Sequence, residues 1–141
     1  RGMGSQLDGR KIRVSKHATL QGSLLGTGFP FRDQKDWLEL YLDIFTDFTK
    51  IVGAIRRPGS AALDLAYVAS GRYDGFWEFG LKPWDVAAGV LLIQEAGGIV
   101  QNIIPDTDPV ESGSLFCGNP KIFEGMQEII HPYDERLKAF A

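Results

Sequence analysis

One helical segment, residues 84–98, constrains the fold of this chain more than any other stretch. It reads Trp-Asp-Val-Ala-Ala-Gly-Val-Leu-Leu-Ile-Gln-Glu-Ala-Gly-Gly, which leaves almost no polar face and predicts a helix buried on most sides. Asp85 stands where an N-cap or first-turn carboxylate belongs, because the helix dipole favours a negative charge there. Gly97 is predicted to end the helix, since glycine adopts left-handed backbone angles without steric cost. The acid at the start of this helix is either a cap alone or a ligand-binding group.

Composition indicates a single globular unit and excludes several functions. A chain of 141 residues that is 44% hydrophobic can bury roughly two-thirds of its unfolded surface. The net charge of −3 provides no basic surface for nucleic acid. The single cysteine, Cys117, excludes an internal disulfide framework and fits a reducing compartment. With no apolar run of membrane-spanning length, we expect a soluble, cytoplasmic protein.

The chain starts abruptly, at Arg1 rather than at a methionine. It runs directly into a predicted β-hairpin, with Gly9 in the turn and residues 11–15 as a half-buried strand. Such a start is expected either from an expression scar or from a piece of a longer protein.

Residues 23–30 read as a short buried strand that ends in a glycine-proline turn. Residues 35–51 follow as an amphipathic helix with acidic Asp36 near its start. Its predicted core stripe has spacings of three and four residues and consists of Leu38, Leu42, Phe45, Phe48 and Val52. We assign this helix a structural role.

A glycine turn precedes the next predicted helix, residues 61–70. Residues 53–57 form a strand, and Ser60 is a good N-cap whose helix has Leu63, Leu65 and Val68 among its core positions. Gly59 allows a ligand to approach the backbone closely. A strand, a glycine turn and an open helix N-terminus present N–H groups to anions or hydroxyl oxygens. The alternative is an ordinary strand-to-helix turn, which is common in α/β folds.

Residues 73–79 are rich in aromatic side chains and predict a strand that leads through a Gly-Leu-Lys-Pro turn into the helix at 84–98. Glu78 and Asp85 therefore lie at either end of one strand-to-helix connection, near the edge where α/β folds bind ligands. Lys82 between them and Arg72 before them are candidate electrostatic neighbours. The alternative for Glu78 is an exposed residue at a strand end.

The rest of the chain continues the alternation of strands and helices. We predict strands at 98–104 and 114–118, a polar loop at 105–113, and helices at 121–130 and 134–141. His17 and His131 have no other metal-ligating residue at a suitable spacing in the sequence, and we interpret both as surface residues.

Three motifs between residues 57 and 98 form a specific signature. They are Gly-Ser-Ala-Ala-Leu-Asp-Leu-Ala, Gly-Arg-Tyr-Asp-Gly-Phe-Trp-Glu, and Trp-Asp-Val-Ala-Ala-Gly with its later Glu-Ala-Gly-Gly. Together with Gln-Leu-Asp-Gly near the start and Cys-Gly-Asn-Pro near the end, they resemble the inositol monophosphatase family, most closely its bacterial inositol-1-monophosphatases. The resemblance implies an α/β fold in which residues 1–141 form the C-terminal half of a layered α-β-α-β-α sugar-phosphatase domain.

The resemblance also implies a reaction and a set of site residues. The family hydrolyses inositol 1-phosphate to myo-inositol and phosphate with Mg²⁺ and an activated water, and Li⁺ inhibits it. Asp85 is the implied catalytic residue, as a metal ligand that also contacts the substrate. Gly59, Ser60 and Ala61 would hold substrate oxygens through backbone groups, and Glu78 would bond an inositol hydroxyl.

Other functions remain open under the same resemblance. Relatives that hydrolyse fructose bisphosphate, adenosine bisphosphate or NADP share the signature. Close bacterial relatives are also implicated in transcription and ribosomal RNA assembly, which would rest on contacts with proteins of the transcription machinery. Members of the family are commonly homodimers.

One family motif is missing from this chain. The main metal site of the family uses a glutamate and the aspartates of Asp-Pro-x-Asp-Gly-x-Thr, on the N-terminal side of the region present here. Asp108-Pro109 matches its first two letters only, and lies after the signature in a loop. Octahedral Mg²⁺ needs more than the carboxylate of Asp85. We therefore expect the chain to be a C-terminal portion whose N-terminal metal-binding half is absent, and to be inactive alone.

Overall fold

The computed structural model describes residues 1–29 and 37–141. Its strands are β1 Gln6–Leu7, β2 Arg10–Lys11, β3 Leu24–Thr27, β4 Ala54–Arg56, β5 Gly75–Glu78, β6 Ile99–Asn102 and β7 Leu115–Gly118. Its α-helices are α1 Leu38–Thr49, α2 Ala61–Ala69, α3 Pro83–Glu95, α4 Pro109–Ser112, α5 Pro120–Ile130 and α6 Asp134–Lys138, and a 3₁₀ turn, His131–Tyr133, joins the last two.

A mixed sheet organises the described part of the chain, in the strand order β4-β3-β5-β7-β6. Strand β3 pairs in parallel with β4 and with β5, whereas β7 is antiparallel to both β5 and β6. Because β3, β4 and β5 run in one direction, their carboxyl ends lie at the same edge of the sheet. The following helices α2 and α3 start at that edge.

Helices cover both faces of the sheet, so two apolar cores form. Trp77 of β5 points into the core shared with α1 and α5, while its neighbour Phe76 points into the core shared with α2 and α3. This division follows from the alternation of side chains along a strand. The chain is therefore α/β, as the sequence predicts.

Helix α3 has the predicted ends. It begins at Pro83, which tolerates the first helical position because its missing N–H has no intrahelical partner there. Asp85 is the third helical residue, so it is a first-turn carboxylate rather than the N-cap, which is Lys82. Gly97 follows the helix with a φ of 90°, the left-handed conformation expected of a terminating glycine.

The predicted burial of α3 on most sides is wrong. Its inner face packs so closely on α2 that a Cβ at Gly89 would lie 2.5 Å from the Leu65 side chain. Its outer face exposes Trp84 to 79% and Leu91 to 37%, together with the small side chains of Ala87 and Ala88. Helices α2 and α4 and one sheet face leave the outer face of this helix uncovered.

The predicted core stripe of α1 is also partly wrong. Leu38 and Leu42 are 43% and 46% exposed, and the side chains buried in the helix are Leu40, Tyr41, Ile44 and Phe48. The helix carries two apolar stripes, and the one that contains Tyr41 and Phe48 packs against the Trp77 indole. The predicted helix start at residues 35 and 36 lies outside the described residues.

Helix α2 differs from its prediction at one core position. Leu63 is 46% exposed, whereas its chain neighbour Asp64 is buried with Leu65, Val68 and Ala69. The register of the helix on the sheet is set by the latter three residues, and it turns Asp64 inward.

The N-terminal hairpin and the C-terminal strands and helices are present as predicted, but their lengths differ. Strands β1 and β2 form the predicted hairpin around Gly9, but β2 ends at Lys11. Further along, the Val14 N–H donates to the carbonyl of Ala96. Asp108 caps the short helix α4, inside the predicted loop, by accepting the N–H groups of Val110 and Glu111. Both histidines are exposed, as expected.

Across residues 1–29 and 37–141, no helix has the length and apolarity needed to span a membrane.

Candidate functional site

A cavity of about 310 Å³ opens at the carboxyl ends of β3, β4 and β5. The residues singled out by their sequence pattern all line it: Gly59, Ser60, Ala61, Glu78 and Asp85. They reach it from the loop and first turn of α2, from the last residue of β5, and from the first turn of α3. This is the edge at which α/β folds place their ligands. The structure brings the five residues together, and their roles towards metal and substrate stay predictions.

The N-terminus of α2 faces this cavity. Ser60 has an extended backbone and its Oγ accepts the N–H of Leu63 at 3.4 Å, so it caps the helix as predicted. Gly59 before it has a φ of 92°, which a residue with a side chain would adopt only under strain. The N–H groups of Ala61 and Ala62 lie in the first turn, where no carbonyl one turn earlier can accept them. These N–H groups and the helix dipole suit an anionic ligand.

The Glu78 carboxyl lies against the backbone of Gly28, one residue beyond β3. The register pairs Thr27 with Trp77, which sets Gly28 beside Glu78 on the neighbouring strand. A Cβ at Gly28 would lie 1.8 Å from Glu78 Oε1, far closer than two non-bonded atoms can approach. Gly28 therefore fixes where the carboxyl can sit. Sequence reasoning missed this glycine because the contact depends on strand pairing.

The environment of Glu78 favours its protonated form. The pKa of this carboxyl is raised to about 8, first by burial and then by the charges of Asp64 and Asp85, while the Arg57 guanidinium opposes the rise. At neutral pH most Glu78 side chains then carry a proton. A protonated carboxyl can both donate to and accept from a hydroxyl group, which suits the predicted contact with a polyol.

Arg57 is a cationic side chain on the wall of the cavity, and sequence analysis did not single it out. Its guanidinium lies over the Phe29 ring, with Cζ 5.2 Å from the ring centroid. Its Nη1 is 3.6 Å from the position a Cβ would take at Gly59. The available signal was its place at the end of a strand, the same argument that selected Glu78.

The two predicted electrostatic neighbours do not line the cavity. Arg72 lies past the opposite end of α2, where its Cζ is 5.6 Å from the Tyr67 ring centroid. Lys82 is exposed and contributes its backbone, since its N–H donates to Asp85 Oδ2 at 3.1 Å. Asp85 is thus both a helix cap and a wall of the cavity, so the two interpretations of this acid are compatible.

Asp64 is an acidic residue that sequence analysis did not single out. It is 1% exposed, and neither carboxylate oxygen has a hydrogen-bond partner among the described residues. Burial raises its pKa to about 6, against the opposing effect of Arg57. The signal in the sequence was its spacing: Asp64 lies three residues after Ala61 and four before Val68, on an otherwise apolar helix face.

The described residues alone do not form a magnesium site. Mg²⁺ prefers six oxygen ligands in octahedral geometry. Within the two described ranges, no group of three or more His, Cys, Asp or Glu side chains is close enough to hold a metal ion. Asp85 can supply one carboxylate at the cavity, and any complete site needs ligands from elsewhere.

Comparison with known proteins gives one consistent result. Residues 1–135 match the sequence model of the inositol monophosphatase family. The Nus factor SuhB of Pseudomonas aeruginosa is 52% identical over 134 residues, which are 94% of this chain and 49% of that protein. The Nus factor SuhB of Escherichia coli is 47% identical over 126 residues, 89% of this chain and 47% of that protein.

Solved structures agree with the sequence matches. The extragenic suppressor protein SuhB from Bartonella henselae superposes with a TM-score of 0.86 and 38% identity, over 92% of this chain and 49% of that one. The inositol monophosphatase from Anabaena (Nostoc) gives a TM-score of 0.84 and 39% identity, over 93% of this chain and 54% of that one. The chain spans about half the length of these relatives. It belongs to the inositol monophosphatase family.

Proposed function

We propose that the natural protein containing this chain is a Mg²⁺-dependent phosphatase of small polyol phosphates, with inositol 1-phosphate as its substrate. One observation carries this proposal: an open helix N-terminus, the Glu78 carboxyl with its raised pKa and the Asp85 side chain converge on a single cavity. The three groups match the three parts of a metal-bound phosphate monoester, namely phosphate, hydroxyl and metal ion.

Each residue has a role in this proposal. The backbone N–H groups of the Gly59–Ala61 turn bind phosphate-side oxygens, with Arg57 adding positive charge beside them. Glu78 bonds a polyol hydroxyl. Asp85 is one ligand of Mg²⁺, which when bound would supply an activated water for the hydrolysis. The protein would be a homodimer, as the family resemblance implies, and cytoplasmic, as the composition predicts.

The remaining metal ligands would come from polypeptide outside these 141 residues. We therefore expect the 141-residue chain alone to bind Mg²⁺ weakly and to release no phosphate from inositol 1-phosphate. The test is turnover by the purified chain of verified mass, compared with the natural protein at equal concentration. Turnover by the chain alone would contradict this part of the proposal.

The substrate is tested with a panel at fixed Mg²⁺: inositol 1-phosphate, fructose bisphosphate, adenosine bisphosphate and NADP. We expect kcat/KM to be highest for inositol 1-phosphate, and Li⁺ to inhibit the reaction. A higher kcat/KM for one of the other compounds would support phosphatase activity with that compound, rather than inositol 1-phosphate, as the substrate. An absence of phosphate release from all four would overturn the proposed activity.

We infer a second candidate function from the names of the relatives, since two proteins 52% and 47% identical to this chain are each called a Nus factor. The natural protein would then contact proteins of the bacterial transcription machinery. Asp85→Asn separates the two functions. If affinity capture of transcription proteins from the source bacterium survives this substitution while phosphatase activity is lost, binding does not depend on catalysis.

A further inference from the structure

The connection from β5 to α3, residues 79–82, joins the two acids that line the cavity. Glu78 ends the strand before it, and Asp85 lies in the first turn of the helix after it. Leu81, within the connection, lines the cavity together with both acids. Because the connection is short, its path sets how far apart the Glu78 and Asp85 side chains lie.

Two successive N–H groups of this connection are bound by a second part of the chain. The Gly80 N–H donates to Ser114 Oγ at 2.9 Å. The Leu81 N–H donates to the carbonyl of Gly113 at 3.0 Å. Both acceptors lie in the turn between α4 and β7. Gly113 and Ser114 together therefore form a clamp on the connection.

The clamp fits the connection closely. Ser114 is fully buried, so its hydroxyl bonds within the protein rather than to water. Gly113 has a φ of 67°, and a Cβ there would lie 1.7 Å from the carbonyl oxygen of Leu81. Only a glycine at this position allows the two backbones to meet as they do.

The far end of the connection holds Asp85, whereas its near end is fixed by the sheet. The Lys82 N–H donates to Asp85 Oδ2 at 3.1 Å, and the Lys82 carbonyl accepts the Asp85 N–H at 2.9 Å. A shift of the connection would therefore move the Asp85 carboxylate with it. Glu78 would stay in place, because β5 pairs with β3 on one side and with β7 on the other.

We propose that Gly113 and Ser114 are positioning residues, which hold the connection in place and so fix the separation between the Glu78 and Asp85 side chains. Neither residue lines the cavity, so they act through the backbone of Gly80 and Leu81. This inference rests on the proposed function for the identity of the ligand.

A rigid and a flexible substrate respond differently to a change in this separation. The inositol ring holds its hydroxyl groups at set distances from its phosphate, so it engages both acids only where their spacing matches. Glycerol 1-phosphate rotates about its carbon–carbon bonds and adapts to an altered spacing. The ratio of the two kcat/KM values therefore reports the geometry of the site, whereas a loss of folded protein lowers both values equally.

Ser114→Ala in the natural protein removes the hydroxyl that accepts the Gly80 N–H. We expect kcat/KM to fall about tenfold for inositol 1-phosphate and to stay within about twofold for glycerol 1-phosphate, since small misplacements of binding groups are costly for a rigid substrate. Gly113→Ala should change the ratio in the same direction, because its Cβ displaces the Leu81 carbonyl. If Gly113→Ala does not fold, Ser114→Ala alone decides.

Ser23→Ala is the matched control. Ser23 is also fully buried, and its Oγ donates to the carbonyl of Leu20 at 2.7 Å, outside the cavity. Each serine variant loses one buried hydrogen bond, so we expect both to melt about 2–4 °C below the wild type. Only Ser114→Ala should change the ratio of the two kcat/KM values.

The inference is overturned if Ser114→Ala leaves this ratio unchanged, or if Ser23→Ala changes it equally. Should the wild-type protein hydrolyse neither compound, the proposed function fails, and hydrogen exchange decides on the clamp. The Leu81 amide should then exchange at least about fivefold faster in Ser114→Ala than in the wild type and in Ser23→Ala. Equal exchange in all three proteins would overturn the inference.

Discussion

The carboxyl of Glu78 lies so close to Gly28 of the adjacent segment that a Cβ there would be 1.8 Å from Oε1. The two residues are 50 positions apart in the sequence and meet because β3 and β5 pair in parallel. The cavity wall therefore depends on the sheet register as well as on the acid itself.

Gly28→Ala should displace the Glu78 carboxyl and impair substrate binding. We expect KM for inositol 1-phosphate to rise at least about tenfold, because the proposed hydrogen bond from Glu78 to the polyol would be lost. Gly26→Ala is the control on the same strand: its Cβ would lie 3.0 Å from the Tyr73 ring, away from the cavity. That variant should lose about 1–3 kcal/mol of stability through overpacking and keep its KM. Equal KM values for the two variants would contradict the assignment.

Glu78 should make the protein less stable as the pH rises. Its pKa is about 8 in the folded protein against an ordinary value of 4.5, so the unfolded chain loses this proton first. Between pH 4.5 and 8 the folded state binds more protons than the unfolded state, and the free energy of unfolding falls as the pH increases. Below this window both states are protonated, and the effect vanishes.

Glu78→Gln should remove this decrease in the free energy of unfolding with rising pH. Without metal, we expect the variant to gain about 1–3 kcal/mol over the wild type between pH 5 and pH 8, measured by urea unfolding at both values. Asp64 contributes in the same direction, with its pKa raised to about 6, and its effect is present in both proteins. Parallel pH profiles for the two proteins would show that Glu78 titrates normally.

If the proposed function holds, Asp85→Asn should abolish most of the phosphatase activity and leave the fold intact. Loss of a charged ligand lowers kcat by roughly a hundredfold or more, while the Asn oxygen can still accept the Lys82 N–H. Asp108→Asn is the control, because Asp108 also accepts backbone N–H groups at a helix start, as the N-cap of α4, but lies outside the cavity. Steady-state kinetics and circular dichroism of both variants provide the measurement. Near-wild-type turnover by Asp85→Asn would reduce Asp85 to a helix cap.

Arg57→Met should weaken binding of the phosphate. The guanidinium lies at the cavity wall beside Gly59, so its removal takes positive charge from the anion site, and we expect KM to rise about tenfold. Arg72→Met, at the opposite end of α2, provides the comparison and should leave KM unchanged. The measurement is KM at low and high salt, since screening should reduce the difference between wild type and Arg57→Met. A similar KM for both variants would exclude Arg57 from the site.

The local parts of this structure were predictable from the sequence. The Ser60 cap, the Gly97 helix end and the Gly9 hairpin depend on residues within one turn of each other. Glu78 and Asp85 could be selected because strand ends in α/β folds converge at one edge.

The parts that depend on tertiary packing were not predictable. Helix α1 carries two apolar stripes, and only the packing against Trp77 decides that Leu38 and Leu42 remain exposed. Strand register places Gly28 at the site, and helix rotation buries Asp64, neither of which a single sequence specifies.

The outer face of α3 provides an optical signal for assembly. The Trp84 indole is 79% exposed and directly precedes Asp85, whereas the Trp77 indole is fully buried. Any polypeptide that covers this face would transfer the Trp84 ring from water to an apolar environment. Its fluorescence emission should then shift to shorter wavelength, so that binding of polypeptide next to the Asp85 carboxylate can be followed in solution without a label.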